Sequence, residues 1–307
     1  MISFAELLRD RHVLEASAVR GLSSYLNVGV KIYLDNGCFS LLRQGGEPAA
    51  REYVDYVKRA RPNWYPVPAD YVPLPSMTRR HTRRLAEKTA AVNREYGHKG
   101  FVPVVHVGPD FQEFFEQTIR ELQPASIAIG GVVPHIRYGR QAAPKVVIKT
   151  LAWARHRFQG SIHVFGLGGG IGSLYLAAAL GIDSMDSSGW RVRAARGVVL
   201  VPARGDRSVA RLGSWGKREP SRHERELLGR CRCRSCRRDG IEHLSAPGAD
   251  GFRHRAGHNL SVLLSEARMI RRHLANGDFQ EWALRRLRVT TFRRFVKLAI
   301  DESYNTI

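Results

Sequence analysis

Acidic residues are scarce in this chain. Asp and Glu number 28 against 49 Lys and Arg in 307 residues, and the formal net charge is +21. An imbalance of that size implies a polyanionic partner, nucleic acid before any other. A membrane surface fits less well, because the sequence shows no lipidation signal and no basic amphipathic anchor. Long apolar runs are also missing. The charge-free segment Val164 to Ile182 carries six glycines and reads as strand, turn and helix rather than a membrane span. Cysteine is sparse too, with four in all, and three of them lie within the six residues 231–236. Such a cluster argues against a disulfide framework and for a metal site in a reducing compartment. Met1-Ile2-Ser3-Phe4-Ala5-Glu6 lacks the basic start and apolar run of a secretory leader, so the expected location is cytoplasmic.

What is present is an alternation of strands and helices with short connections. Strands are expected at 30–34, 64–69, 101–105, 126–129, 161–165 and 182–185, and helices between them at about 47–59, 77–96, 110–122, 145–158 and 173–180. This order indicates a parallel sheet. The six strands end on Asp35, Asp70, His106, Gly130-Gly131, Gly166-Leu167-Gly168 and Asp186. Polar and glycine residues at every strand end suit a (β/α)8 TIM-type barrel, whose site is built at the C-terminal rim. An open doubly wound sheet would use only the ends near one switch point. The expected organisation is a barrel over residues 1–213, a zinc-binding subdomain over 214–258 and C-terminal helices over 259–307. A hairpin is expected around Gly205-Asp206, and two arginine-rich helices at about 259–275 and 279–299, broken at Asn276-Gly277.

Two constellations carry chemistry. The first is Cys231-x-Cys233-x-x-Cys236 with a histidine further on; His243, His254 and His258 all compete for the fourth position. Three thiolates and one imidazole make a common structural Zn²⁺ set, closed to substrate because protein supplies every ligand. The second is the carboxylates Asp35, Asp70 and Asp186. One aspartate at a strand end is usually a cap or turn. Three at one rim could divide a glycosyl transfer between nucleophile and acid/base. The glycine-rich stretch Gly166 to Gly172 does not have dinucleotide-binding spacing, and no P-loop lysine follows it. Gly130-Gly131 reads as a tight turn that lets a ligand approach the backbone closely.

Taken in order, these motifs resemble the tRNA-guanine transglycosylase superfamily, which exchanges guanine in nucleic acid for a 7-deazaguanine; the likeness runs from about Tyr33 to Trp282. Asp35-Asn36-Gly37-Cys38-Phe39-Ser40 is similar to the family's Asp-Ser-Gly-Gly-Phe-Gln, which implies Asp35 as general acid/base. Asp70 matches the aspartate that recognises the base. Ile129-Gly130-Gly131 matches the glycine pair beside it, with His106 and Gly168 in the same base-binding set. Gly181-Ile182-Asp183-Ser184-Met185-Asp186 resembles Gly-Ile-Asp-x-Phe-Asp, which implies Asp186 as nucleophile and Asp183 as a supporting residue. The resemblance also implies Cys231, Cys233, Cys236 and His258, within His258-Asn259-Leu260, as ligands of a structural zinc.

Several positions depart from that pattern. His106 stands where the family has Gln, and Ser188-Gly189-Trp190-Arg191 replaces Pro-Thr-Arg. The segment before Asp35 is shorter than in the tRNA enzymes, and no added RNA-binding domain is expected after the helices. These departures look more like the DpdA-like branch of phages and genomic islands, which inserts 7-deazaguanines into DNA. The expectation is therefore DNA as substrate, tRNA as the alternative, and a homodimer or a helper protein as further partner. A non-catalytic nucleic-acid-binding subunit is the rival of another class. The arginine-rich segments Arg79 to Arg84, Arg230 to Arg238 and Arg285 to Arg294 are the expected phosphate contacts.

Overall fold

The computed structural model describes residues 1–138, 143–210, 212, 218–287 and 290–304. Two compact units make up the chain: Met1–Thr150 with Arg157–Phe165, and Leu151–His156 with Gly166–Ile307.

The first unit is parallel α/β. Strand β1, Ile2–Ser3, lies beside β2, Leu34–Asp35, in register Ile2↔Leu34 and Ser3↔Asp35. Tyr33 bridges to Trp64 and Pro66 to Val102, both parallel. Strand β3, Val104–His106, then pairs with β4, Ser126–Gly130, which pairs with β5, Ser161–Val164. Six segments therefore lie side by side in chain order. The segment at 64–67 makes single bridges rather than a ladder because Pro66 and Pro68 bring no N–H to it. Parallel neighbours need long crossovers, and helices supply them at Ala50–Ala60, Arg79–Tyr96, Phe111–Leu122 and Ala143–Arg157. Val104, Ile127, Ala128, Ile129, Ile162 and Val164 are buried, as expected of strands covered on both faces. Phe4, Leu34, Tyr53, Val57 and Phe101 fill the space between the strands and the helix Ala50–Ala60.

Local chemistry fixes the ends of these elements. Thr78 caps the helix Arg79–Tyr96 by accepting from His81 N. Inside that helix the buried Asn93 amide donates to Val104 O at 2.8 Å and accepts from Val104 N at 3.0 Å, satisfying the backbone of β3 from the side. The strand at Ile2–Ser3 is not among the strands expected from the sequence.

The second unit is built around the helix Gly248–Ala275 and an antiparallel hairpin of β7, Val198–Val201, and β8, Gly205–Ser208. All four residues of β7 are fully buried. Asn259 on the helix clamps that strand: Oδ1 accepts from Leu200 N at 2.7 Å and Nδ2 donates to Val198 O at 3.0 Å. Tyr175, Leu200, Val262, Ile270, Phe279 and Val296 form its main core. Glu266, fully buried, accepts from Tyr175 Oη at 2.6 Å and pairs with Arg286 at 2.8 Å, which ties three helices together.

Three boundaries in this unit differ from expectation. The hairpin turns at Pro202-Ala203-Arg204, and Gly205-Asp206 lies within its second strand, paired to Val201 and Leu200. The helix expected from Asn259 starts at Gly248 and runs through the expected 258/259 boundary. The helix expected over 279–299 is two helices, Phe279–Arg286 and Arg293–Tyr304.

Candidate active site and metal cluster

The loops after β2 and after the segment at 64–67 meet in the first unit, and there the carboxylate Asp70 is buried with Asn36 and His106. Asn36 Nδ2 donates to Asp70 Oδ1 at 2.7 Å and to Val67 O at 2.9 Å. His106 Nε2 stands 3.0 Å from Asp70 Oδ2 without aligned hydrogen-bond geometry, and its Nδ1 has no hydrogen-bond partner among the described residues. The register His106↔Gly130 sets that imidazole over Gly130; a Cβ there would lie 2.7 Å from Cε1 and nearer still to Nδ1. Gly131 has φ +75°, with Val107 N and O each 3.2 Å from where a Cβ would stand. Only glycine suits both backbone and space at 131. The structure thus brings together Asp70, His106 and Gly130, with Gly131 beside them.

Asp35 ends β2 half-buried, and its Oδ2 accepts from Gly37 N at 3.1 Å. Gly37 has φ +78° and its Cβ position meets Ala5 N at 2.6 Å, so the turn carrying Asp35 is fixed against the helix Phe4–Leu7. Cys38 is fully buried, and burial holds its thiol well above the usual thiol range, so it is inert rather than nucleophilic.

Asp186 and Gly168 belong to the second unit. Asp186 follows β6, Ser184–Met185, and its Oδ1 accepts from Gly166 N at 2.7 Å. Burial raises its carboxyl above the ordinary carboxylate value, while the Gly166 N–H works the other way. Gly168 has φ +117°, and a Cβ there would meet Ser173 Oγ at 2.6 Å. The Cβ position of Gly189 lies 2.5 Å from Gly169 Cα, so the glycine-rich turn packs backbone to backbone on the segment just past Asp186. Asp183 is exposed and pairs with Arg155 at 3.1 Å.

Cys231, Cys233, Cys236 and His258 gather in the same unit with their ligand atoms all within 4.8 Å of one another. The three sulfurs lie 3.5, 3.8 and 3.4 Å from His258 Nδ1. Tetrahedral zinc with Zn–S about 2.3 Å and Zn–N about 2.0 Å would separate sulfur from nitrogen by about 3.5 Å, so the set fits such an ion. His258 Nε2 is 2.9 Å from Leu200 O. Donation to that carbonyl leaves Nδ1 as the metal-facing lone pair, the usual outer support of a histidine ligand. The hydrogen bond from the Cys236 thiol, with His258 beside it, holds the Cys231 thiol below its ordinary value, towards the thiolate form that binds metal. His243 and His254, the competing histidines, lie with ring centroids 5.1 Å apart and planes tilted by 49°, and His254 pairs with Asp239.

The expected phosphate contacts divide. Arg83 pairs with Glu113 at 2.7 Å, Glu87 at 3.2 Å and Asp110 at 3.6 Å, and Arg79 with Asp110 at 3.5 Å. Those arginines join two helices. Arg230, Arg232, Arg234 and Arg237 are exposed around the metal cluster, with no ion pair to any described residue. In the third segment Arg286 is held by Glu266, and residues 288 and 289 lie outside the described residues. Sequence reasoning missed Asn36, although an Asp-Asn-Gly turn at a strand end could have marked it; the Glu266–Tyr175–Arg286 network left no local signal.

No curated protein matches the chain. A family model described as queuine tRNA-ribosyltransferase matches residues 52–291, which include Asp70, His106, Gly130, Asp186 and all four metal-cluster residues. The chain therefore belongs to the queuine tRNA-ribosyltransferase family, the tRNA-guanine transglycosylases, and is an enzyme of the glycosyltransferase type.

Proposed function

We propose that the chain replaces guanine in DNA with a 7-deazaguanine, such as 7-cyano-7-deazaguanine, through a covalent aspartyl intermediate on a (β/α)8 barrel. The observation that carries the reading is the buried Asp70–His106–Gly130 cluster, one turn from Asp35 in the same unit. An ionised carboxylate only accepts hydrogen bonds, which matches the N1–H and N2 amine of guanine. His106 and the backbone near Gly130-Gly131 would then face the O6 side.

In this mechanism the target nucleoside is flipped from the duplex so that C1′ is accessible. Asp186 Oδ attacks C1′, the C1′–N9 bond breaks, and guanine leaves with a proton from Asp35. A 7-deazaguanine enters, Asp35 takes its N9 proton, and N9 displaces Asp186 from C1′. Two displacements give retention at C1′ and ping-pong kinetics. The hydrogen bond from Gly166 N orients the Asp186 carboxylate for the attack. Zinc at Cys231, Cys233, Cys236 and His258, with all four positions filled by protein, would crosslink the helix Gly248–Ala275 to the cysteine loop and take no part in bond making.

DNA is favoured over tRNA by His106 and by Ser188-Gly189-Trp190-Arg191, where the tRNA enzymes have Gln and Pro-Thr-Arg. The test is incubation with labelled guanine and either duplex DNA or tRNA, scoring which polymer gains label. Label in tRNA alone would overturn the DNA assignment. Asp186→Ala should lose both covalent trapping and exchange; undiminished exchange by that variant would overturn the nucleophile.

A further inference from the structure

We propose that Asn36 is a positioning residue that sets the Asp70 carboxylate for base recognition and locks it to the loop carrying Asp35. The inference rests on the base-binding role of Asp70 given above. Asn36 is 4% exposed, and both its amide protons and its carbonyl oxygen are engaged. One Nδ2 proton goes to Asp70 Oδ1 and the other to Val67 O, while Oδ1 accepts from Cys38 N at 3.0 Å. A buried amide satisfied on all sides holds a single rotamer, because any rotation leaves a donor or acceptor unmatched. Its neighbour Asp35 is fixed by the Gly37 turn, so the acid/base and the recognition carboxylate are joined through one side chain.

The chemistry of the donor matters as much as its place. Asn36 takes one acceptor direction of Oδ1 and His106 stands against Oδ2. A carboxylate offers about four acceptor directions, so both oxygens keep room for the paired donors of a guanine edge. Without Asn36 the carboxylate could turn towards His106 and present one oxygen instead of two.

The test compares guanine KM and kcat for the wild type, Asn36→Ala, Asn36→Ser and Asn36→Asp, with thermal melting to confirm folding. Asn36→Ala should raise KM for guanine about tenfold or more and change kcat less, since the lost contact acts on base binding. Asn36→Ser, which keeps a short donor, should recover part of the loss. Asn36→Asp places two carboxylates in hydrogen-bond contact, and they cannot both ionise cheaply. At low pH the pair shares one proton and rebuilds the donor to Asp70; as pH rises that proton leaves and the carboxylates repel. Base affinity of Asn36→Asp should therefore improve from pH 8 to pH 5 relative to wild type, and that of Asn36→Ala should not.

The other titratable groups facing the pair are Asp35, Cys38, Tyr53, Tyr71 and His106. Burial raises the Cys38 thiol and the Tyr53 and Tyr71 phenols, so these stay neutral across the range. Repeating the series in a His106→Gln background removes the imidazole from the profile. Folded Asn36→Ala with wild-type KM, or Asn36→Asp with no acid recovery, overturns the proposal while the base-exchange reading stands. If Asn36→Asp does not fold, the Ala and Ser pair decides: equal KM values for the two overturn the donor role. A wild type that exchanges no guanine overturns the base-exchange reading itself, and with it the role of Asn36.

Discussion

The tightest packing in the site gives the sharpest prediction. Gly130→Ala puts a methyl within 2.7 Å of His106 Cε1 and closer to Nδ1. Position 130 lies in β4, and its φ is not in the left-handed region, so the backbone itself accepts alanine. The strain is therefore between side chains. The imidazole must retreat by about 1 Å to reach van der Waals separation, yet His106 is only 6% exposed and has little room. Overpacking of this kind costs about 1–3 kcal/mol. At about 2–4 °C per kcal/mol for a protein of this size, calorimetry should show Tm lower by about 2–12 °C.

The same retreat draws Nε2 away from Asp70 Oδ2, so KM for guanine should rise as well. The decisive measurement is the double variant. His106→Ala removes the ring that the new methyl strikes, so Gly130→Ala should cost at least about 1 kcal/mol less in that background. If the two substitutions add to within about 0.5 kcal/mol, the steric argument is refuted.

His163 is buried between Trp64 and Phe165, with ring centroids at 4.7 and 4.9 Å, and burial holds it down to about 3. The unfolded chain takes up that proton near pH 6.5 and the folded chain does not, so stability is full above pH 6.5. It should fall by about 1.4 kcal/mol per pH unit below that, and urea unfolding of His163→Leu should lack this contribution to the acid limb. The same acid slope in both proteins would contradict it. Cys236→Ser should lower the bound-zinc stoichiometry and the melting temperature. It should also flatten the dependence of log K for nucleic acid on log salt, because Arg230, Arg232, Arg234 and Arg237 are interleaved with the ligands. An unchanged salt slope in the metal-free variant would separate the arginines from the metal.

Strand ends were legible in the sequence because burial on both faces makes a parallel strand an apolar run that stops at a polar or glycine residue. Asp35, Asp70, His106, Gly130 and Asp186 were found that way, along with the cysteine cluster, whose spacing is local. Ile2–Ser3 was not, since two residues show no period. The early start of the helix at Gly248 was hidden for a different reason. Gly248, Gly251 and Gly257 make the stretch read as a loop, but a Cβ at Gly251 would collide with Ala246 O, and one at Gly257 would meet Ser235 Oγ at 2.5 Å. Close packing on Ala246 requires glycine at 251, and packing on the cysteine loop requires it at 257, which overrides their low helix propensity.

Partners at long range are where the sequence is silent, and the arginines show why this matters for function. Composition counts every arginine equally, and the runs Arg79 to Arg84 and Arg230 to Arg238 were both expected phosphate contacts, the first with a solvated helix face as its alternative. Arg83 takes its carboxylates from Glu113, 30 residues away, and from Asp110, so much of that run is committed to joining two helices. Near the metal cluster the alternation of arginine with cysteine separates the two sets, with the ligands gathered inward and the guanidiniums left in solvent. Four exposed guanidiniums thus lie on the loop that would hold the metal, which leaves that run freer to meet a phosphate chain than the run at 79–84.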